Sequence, residues 1–276
     1  MFFTPPTPPP QKPIFVTVFV HGTDLIPKTI IKPFERLVRH ESGMFPLKEI
    51  TEKYKYTKVL RNICRDNPDR FPKESAYLFC WSGKLSHKDR LAAAKDLNKS
   101  INDIIEMYKN KKQKIIFTII THSHGGNVVL NLSNLKEAKN YFIDHLILMA
   151  VPVQEKTKKC VSDPFFKQTT IYAIYSMGDM VQILDLQGAK PQGRAYRRIF
   201  SEPKNGSKLL NLEKPIPLFS ERKFKSKKVN HIKVTSKKRP ILHIEFLLPS
   251  FTKKISTLLE QAAKHNFSKE EFHFTF

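Results

Sequence analysis

Residues 115–130, Ile-Ile-Phe-Thr-Ile-Ile-Thr-His-Ser-His-Gly-Gly-Asn-Val-Val-Leu, constrain the fold more than any other part of the chain. An apolar, β-branched run without alternation reads as a strand buried on both faces. The chain then turns at Ser123, passes two glycines and starts a helix with no linker. A strand covered on both faces and feeding straight into a helix belongs to a mainly parallel sheet flanked by helices. Similar runs at 14–20, 75–83, 146–152 and 170–176 supply further strands, and 229–235 alternates like a last strand near an edge. Leu91, Ala94, Leu97, Ile101, Ile104, Ile105 and Tyr108 form one stripe and predict a crossover helix from Ser86 to about Asn110. A final helix is expected over 250–264.

The expected fold class is therefore α/β. A chain of 276 residues with 40% hydrophobic content can bury one large core. The expected organisation is a proline-rich arm over 1–13 and a single domain over 14–276. An irregular stretch rich in glycine and proline, 182–228, reads as an insertion or lid before the last strand. Residues 25–72 carry few periodic cues and read as loops and short helices over the site entrance, one of them, 30–38, interrupted by Pro33.

The turn around Ser123 has the layout of a nucleophile elbow, Gly-x-Ser-x-Gly, with Thr121 in place of the first glycine and Gly125 as the second. Serine needs a base to take its proton, so its oxygen must stand clear of the sheet within reach of a histidine. The residues two before and two after it approach closely and must be small. The helix start also aims the His124 N–H at a developing oxyanion. The alternative for these residues alone is an ordinary strand-to-helix junction with Ser123 as N-cap.

Two other strand ends complete the picture. The first strand runs into His21-Gly22-Thr23, where the Thr23 N–H is the expected second oxyanion donor. The strand over 170–176 ends in Met177-Gly178-Asp179, which hangs an acid past the sheet edge. His243 falls between the last strand and the last helix. His231 begins its strand and belongs to the opposite edge, while His265 and His273 follow the last helix. Ser123, Asp179 and His243 thus form the expected triad, in the chain order that open α/β sheets use, with Asp185 as the fallback acid. Trp81 stands at a strand end and is either an acyl-pocket wall or a core residue.

Val20-His21-Gly22-Thr23, Trp81-Ser82-Gly83, Thr121-His122-Ser123-His124-Gly125-Gly126, Ser176-Met177-Gly178-Asp179 and Leu242-His243-Ile244-Glu245 together resemble the α/β-hydrolase superfamily. Within it the chain is similar to lipase-like serine esterases of the GPI-inositol deacylase and triacylglycerol lipase group, over about residues 14–264. The resemblance implies ester hydrolysis, often of lipids. The triad chemistry calls for no cofactor and no metal.

Composition narrows the partners. The chain carries 48 Lys and Arg against 25 Asp and Glu, a net +23, which suits anionic surfaces and also fits a plain lysine bias. No zinc-finger or RNA-binding signature accompanies the charge, so dedicated nucleic-acid recognition is not expected. Three cysteines, Cys64, Cys80 and Cys160, suit a reducing compartment. With no signal-peptide pattern and no long apolar run, the expected location is cytoplasmic with peripheral membrane contact. The expected partner is an acyl-ester or lipid substrate, and the oligomeric state is left open. Two alternatives stand beside the esterase. One is an inactive scaffold that binds an anionic partner. The other is a thioesterase or acyltransferase using the same triad.

Overall fold

The strand order is set by β4 (Ile115–His122), which lies between β1 (Ile14–Val20) and β5 (His145–Met149) and is parallel to both. The structure is a computed structural model. It describes residues 12–23, 41–50, 54–109, 114–184, 220–237, 239–265, 267 and 271–276, with backbone alone at 196–197 and 216–217. Beyond β5 lie β6 (Thr170–Tyr175) and β7 (Val229–Ser236), both parallel. On the other side β1 pairs with β3 (Ala76–Cys80), and β2 (Gly43–Pro46) closes that edge antiparallel. β7 also pairs antiparallel with the two-residue β8 (Arg239–Pro240) and parallel with β9 (Phe272–Thr275). Among the described residues the sheet has nine strands and is mostly parallel. This is the α/β-hydrolase architecture, and the expected fold class holds.

The period of two along the strands divides the core. Val16, Val18 and Val20 of β1, with Phe117 and Ile119 of β4, pack beneath α2 (His87–Lys109) and α3 (His124–Leu130). Phe19, Ile120, Ile147 and Ile174 face the other way, toward α1 (Lys55–Asp66) and α5 (Ile255–Lys264). Burial of each large aliphatic side chain contributes roughly 1.5–3 kcal/mol, and strands and helices supply such side chains to both halves of the core. α2 starts where Ser86 caps it: its hydroxyl accepts the Asp89 N–H at 3.3 Å.

Several elements differ from expectation. The stretch before residue 72 contains α1 and β2. The apolar face of α1, Tyr56, Val59, Leu60, Ile63 and Cys64, is buried. The final helix is split into α4 (Pro249–Thr252) and α5, and the 229–235 strand is not the last, because β9 follows it. The helix expected over 30–38, the proline-rich arm up to residue 11, Asp185 and most of the 182–228 insertion lie outside the described residues. Among the described residues no helix is long and apolar enough to cross a membrane.

Candidate active site

Parallel strands put their carboxyl ends on one edge of the sheet, and that edge gathers the site. At the end of β4 the chain bends through Ser123, whose φ of 52° and ψ of −132° lie outside the ordinary regions. Such a conformation costs about 1–3 kcal/mol and persists only where its surroundings hold it. Here the Ser123 N–H donates to Met149 O at 2.9 Å, and Ser123 O accepts the Gly126 N–H at 3.0 Å. Ser123 is buried, at 5% exposure.

Two glycines bring the end of β1 against this turn. A Cβ on Gly125 would lie 2.4 Å from Val20 O and 2.5 Å from His21 O. One on Gly22 would lie 2.8 Å from Ser123 Cβ. Thr121 fits where glycine is usual because its hydroxyl turns sideways and donates to Ile147 O at 3.2 Å. Thr23 follows Gly22 directly. Its N–H has no hydrogen-bond partner among the described residues. The N–H of His124 stands at the first position of α3.

His21 is a strut. The Trp81 main-chain N–H donates to His21 Nε2 at 3.1 Å, so that nitrogen is the acceptor, and Nδ1–H donates to Gly22 O at 2.6 Å. The neutral tautomer is thereby fixed. Trp81 answers by donating Nε1–H to His21 O at 2.8 Å, and its ring stacks on His21 with centroids 5.9 Å apart. At 5% exposure Trp81 is packed in the core and braces the Gly22 turn.

The structure brings Asp179 and His243 together. His243 Nδ1 lies 2.8 Å from Asp179 Oδ2, and the Asp179 side chain is fully buried. Asp179 Oδ1 accepts the Gln182 N–H at 3.0 Å, so both oxygens are occupied. With Nδ1–H donated to the carboxylate, the His243 Nε2 lone pair is the one left for proton transfer. Among the described contacts no hydrogen bond joins Ser123 Oγ to His243. The imidazole is nonetheless held beside the elbow: its ring centroid is 4.7 Å from that of His122, the residue before Ser123.

The positioning roles of four residues, His122, Arg222, Gly178 and Glu245, were not legible in the sequence. His122 donates Nε2–H to His243 O at 3.1 Å and so ties the histidine's main chain to the elbow. Its Nδ1 is buried without a partner. Burial above all, then the neighbouring His243, holds the His122 pKa well below the usual histidine value, so the ring is neutral. Arg222 grips the loop that carries the acid. Its guanidinium donates to Ser176 O at 3.1 Å, Met177 O at 3.1 Å and Asp179 O at 3.0 Å. Gly178 lets that loop touch the histidine's segment, since a Cβ there would lie 2.9 Å from Pro240 Cβ and 3.0 Å from Ile241 O. Glu245 then braces the same segment. It takes a bidentate pair from Arg239 at 2.7 and 2.9 Å and the Leu242 N–H at 2.6 Å. These contacts, the Arg239 pair first, draw its carboxyl down to about 2.

The other histidines lie elsewhere. His231 Nε2 accepts the Phe224 N–H at 3.0 Å, away from the elbow. His265 and His273 belong to the Phe-rich end, where His265 meets Phe267 edge-on and Phe272 at a tilt. Among the described residues no group of three or more His, Cys, Asp or Glu side chains could hold a metal.

Residues 87–177 match the family model of the PGAP1-like alpha/beta domain. The match runs from the start of α2 through Ser123 and stops two residues short of Asp179. Among solved structures the chain is similar to phospholipase PlaB from Legionella pneumophila, seen alone and in complex with thio-NAD. Identity is 18% and 19% and the TM-scores are 0.32 and 0.30, over 50% of this chain. The similarity spans 25% of the phospholipase's own length. No curated protein matches the chain.

Proposed function

We propose that this lipase-like α/β-hydrolase is a serine esterase that cleaves carboxylic esters, with lipids as its substrate class. The observation that carries the reading is the buried Asp179–His243 pair held beside the strained Ser123 turn on one edge of the sheet. His243 Nε2 takes the Ser123 proton as Oγ attacks the acyl carbonyl carbon. Asp179 keeps Nδ1 protonated and stabilises the imidazolium. The tetrahedral oxygen receives the N–H groups of Thr23 and His124, and each such donor contributes roughly 3 kcal/mol at the transition state. The imidazolium then protonates the leaving alcohol, and the acyl group remains on Ser123. A water, deprotonated by the same Nε2, releases the acid and restores the serine.

The lipid part rests on the rim. Met177 and Val181 on the acid's loop, and Leu242, Ile244 and Leu248 around the histidine, are exposed apolar side chains, with Ile244 at 57%. Apolar side chains gathered at one mouth suit an acyl chain or a lipid surface. The family match, to a lipase-like group, supports the same reading, as does a net charge of +23 that favours anionic membranes.

A fluorophosphonate probe tests the chemistry. Labelling is expected on the native chain and lost in Ser123→Ala. Labelling that persists in that variant would sink the assignment. For the substrate class, turnover of long-chain acyl esters should exceed that of acetyl esters, and the reverse order would remove lipids.

A further inference from the structure

A concave site lies beside the clamp on the Asp179 loop. It has a volume of about 330 Å³ and is lined by Val153, Lys158, Lys159, Ser162, Glu221, Lys223, Lys225 and Ser226. That is at the low end of ligand pockets, about 300–1,000 Å³. Its floor is rigid: Val153 and Glu221 exchange two main-chain hydrogen bonds, at 2.9 and 3.2 Å, in an antiparallel bridge. Ser162 and Ser226 bring their hydroxyls together at 3.0 Å. Four of the eight lining residues are lysines and one is acidic.

We propose that this cleft binds a phosphate-bearing anionic group, supplied by a lipid headgroup or by a free phosphate compound. The lining comes from two segments, 155–159 (Glu-Lys-Thr-Lys-Lys) and 221–228 (Glu-Arg-Lys-Phe-Lys-Ser-Lys-Lys), together with Val153 and Ser162. Those segments hold eight Lys or Arg and two Glu. Lys158, Lys223 and Lys225 have carboxylate partners in Glu155, Glu271 and Glu221, at 2.5, 2.7 and 3.3 Å. The Lys158 and Lys225 pairs are exposed and worth little, so those two ammonium groups turn to a stronger anion at small cost, while Lys223 stays anchored by Glu271 and the Tyr175 ring. Lys159 has no carboxylate partner among the described residues. Rotatable ammonium donors with serine hydroxyls between them match the several acceptor oxygens of a phosphate. None of the lining side chains is aromatic, so the cleft offers no stacking platform for bases and does not suit single-stranded nucleic acid. The lysines that follow Arg222, which the esterase chemistry leaves unused, thereby gain a role. Because Glu221 lines the cleft and Arg222 holds the Asp179 loop, an anion bound here sits one residue from the catalytic clamp.

The test uses the full chain carrying Ser123→Ala, so it does not depend on the esterase reading. Binding is measured to pyrophosphate and to phosphatidylcholine vesicles doped with phosphatidic acid. Vesicles of equal surface charge made with phosphatidylserine serve as the reference. Phosphatidic acid vesicles should bind more tightly than the reference. Adding Lys159→Glu and Lys225→Glu should weaken binding at least about tenfold, since each lysine near an anionic surface counts for about a factor of five. A control pair with the same charge change, Lys58→Glu and Lys99→Glu on exposed faces of α1 and α2, should change it less than about twofold. Lys159→Gln with Lys225→Gln repeats the comparison if the glutamates disturb folding. Binding of both probes supports a headgroup source, and binding of pyrophosphate alone assigns free phosphate. Binding of neither, or equal losses from both lysine pairs, overturns the proposal.

Discussion

Arg222 shows how one side chain can hold the loop that carries Asp179 through main-chain contacts. It spans the carbonyls of Ser176, Met177 and Asp179, and a planar fork with several donors suits that task better than a point charge. Arg222→Lys keeps the charge and loses the fork. Asp179 should then drift relative to His243, and a shift near 1 Å costs about 100-fold in rate. The expected result is a fall in kcat of roughly 10–100-fold with KM nearly unchanged, measured on a soluble ester. An unchanged kcat would reduce Arg222 to a surface brace. His122 acts at the same scale, because its hydrogen bond to His243 O links the Ser123 turn to the His243 main chain.

At the scale of elements, the Asp179 loop meets the end of β8 and the residue after it at Gly178. The space for Gly178→Ala is closed by Pro240 Cβ and Ile241 O, the second of which is backbone. Overpacking of this kind costs about 1–3 kcal/mol and would push Asp179 away from His243. The thermal midpoint should fall by several degrees, about 2–4 °C for each kcal/mol, and fluorophosphonate labelling should slow. Equal melting and equal labelling would show that the two elements are not coupled through this contact. The same pair of elements shows what the sequence reveals and what it hides. Continuous apolar runs mark β1, β4, β5 and β6, and the stripe on α2 is unmistakable, because burial on both faces or on one face leaves a period in the chain. Ser123, Asp179 and His243 follow from strand ends and order. α1 escapes notice because Lys58, Arg61, Asn62 and Arg65 interrupt a correct apolar spacing. β9 has only four residues, too few for alternation to stand out. The Arg222 clamp leaves no trace, since its acceptors are backbone carbonyls more than 40 residues away and any residue type provides one.

For the whole molecule, pH acts through groups whose protonation changes on folding. His231 is lowered to about 4, chiefly by burial and secondarily by Lys223. His87, His122 and His145 are lowered for the same leading reason. In each case the unfolded chain binds the proton more readily than the folded one. Their contribution is complete above the ordinary histidine value of 6.5 and is lost as pH falls toward 4. Burial instead raises the Cys64 thiol to about 12, so its contribution is complete below its ordinary value of 9.0 and fades above it. Stability should therefore be flat from about 6.5 to 9 and fall on both sides. Thermal midpoints recorded from pH 4 to 10 check this. His231→Gln keeps an acceptor for the Phe224 N–H and should flatten the acid limb, by at most on the order of 3 kcal/mol. Acid also strips negative charge from a chain already at +23, which adds repulsion of the same sign. Salt separates the two, because it screens exposed charges and leaves a buried ring unaffected. If 0.5 M salt abolished the acid limb, the repulsion would be the cause. A limb that survives salt and shrinks in His231→Gln belongs to the buried histidine.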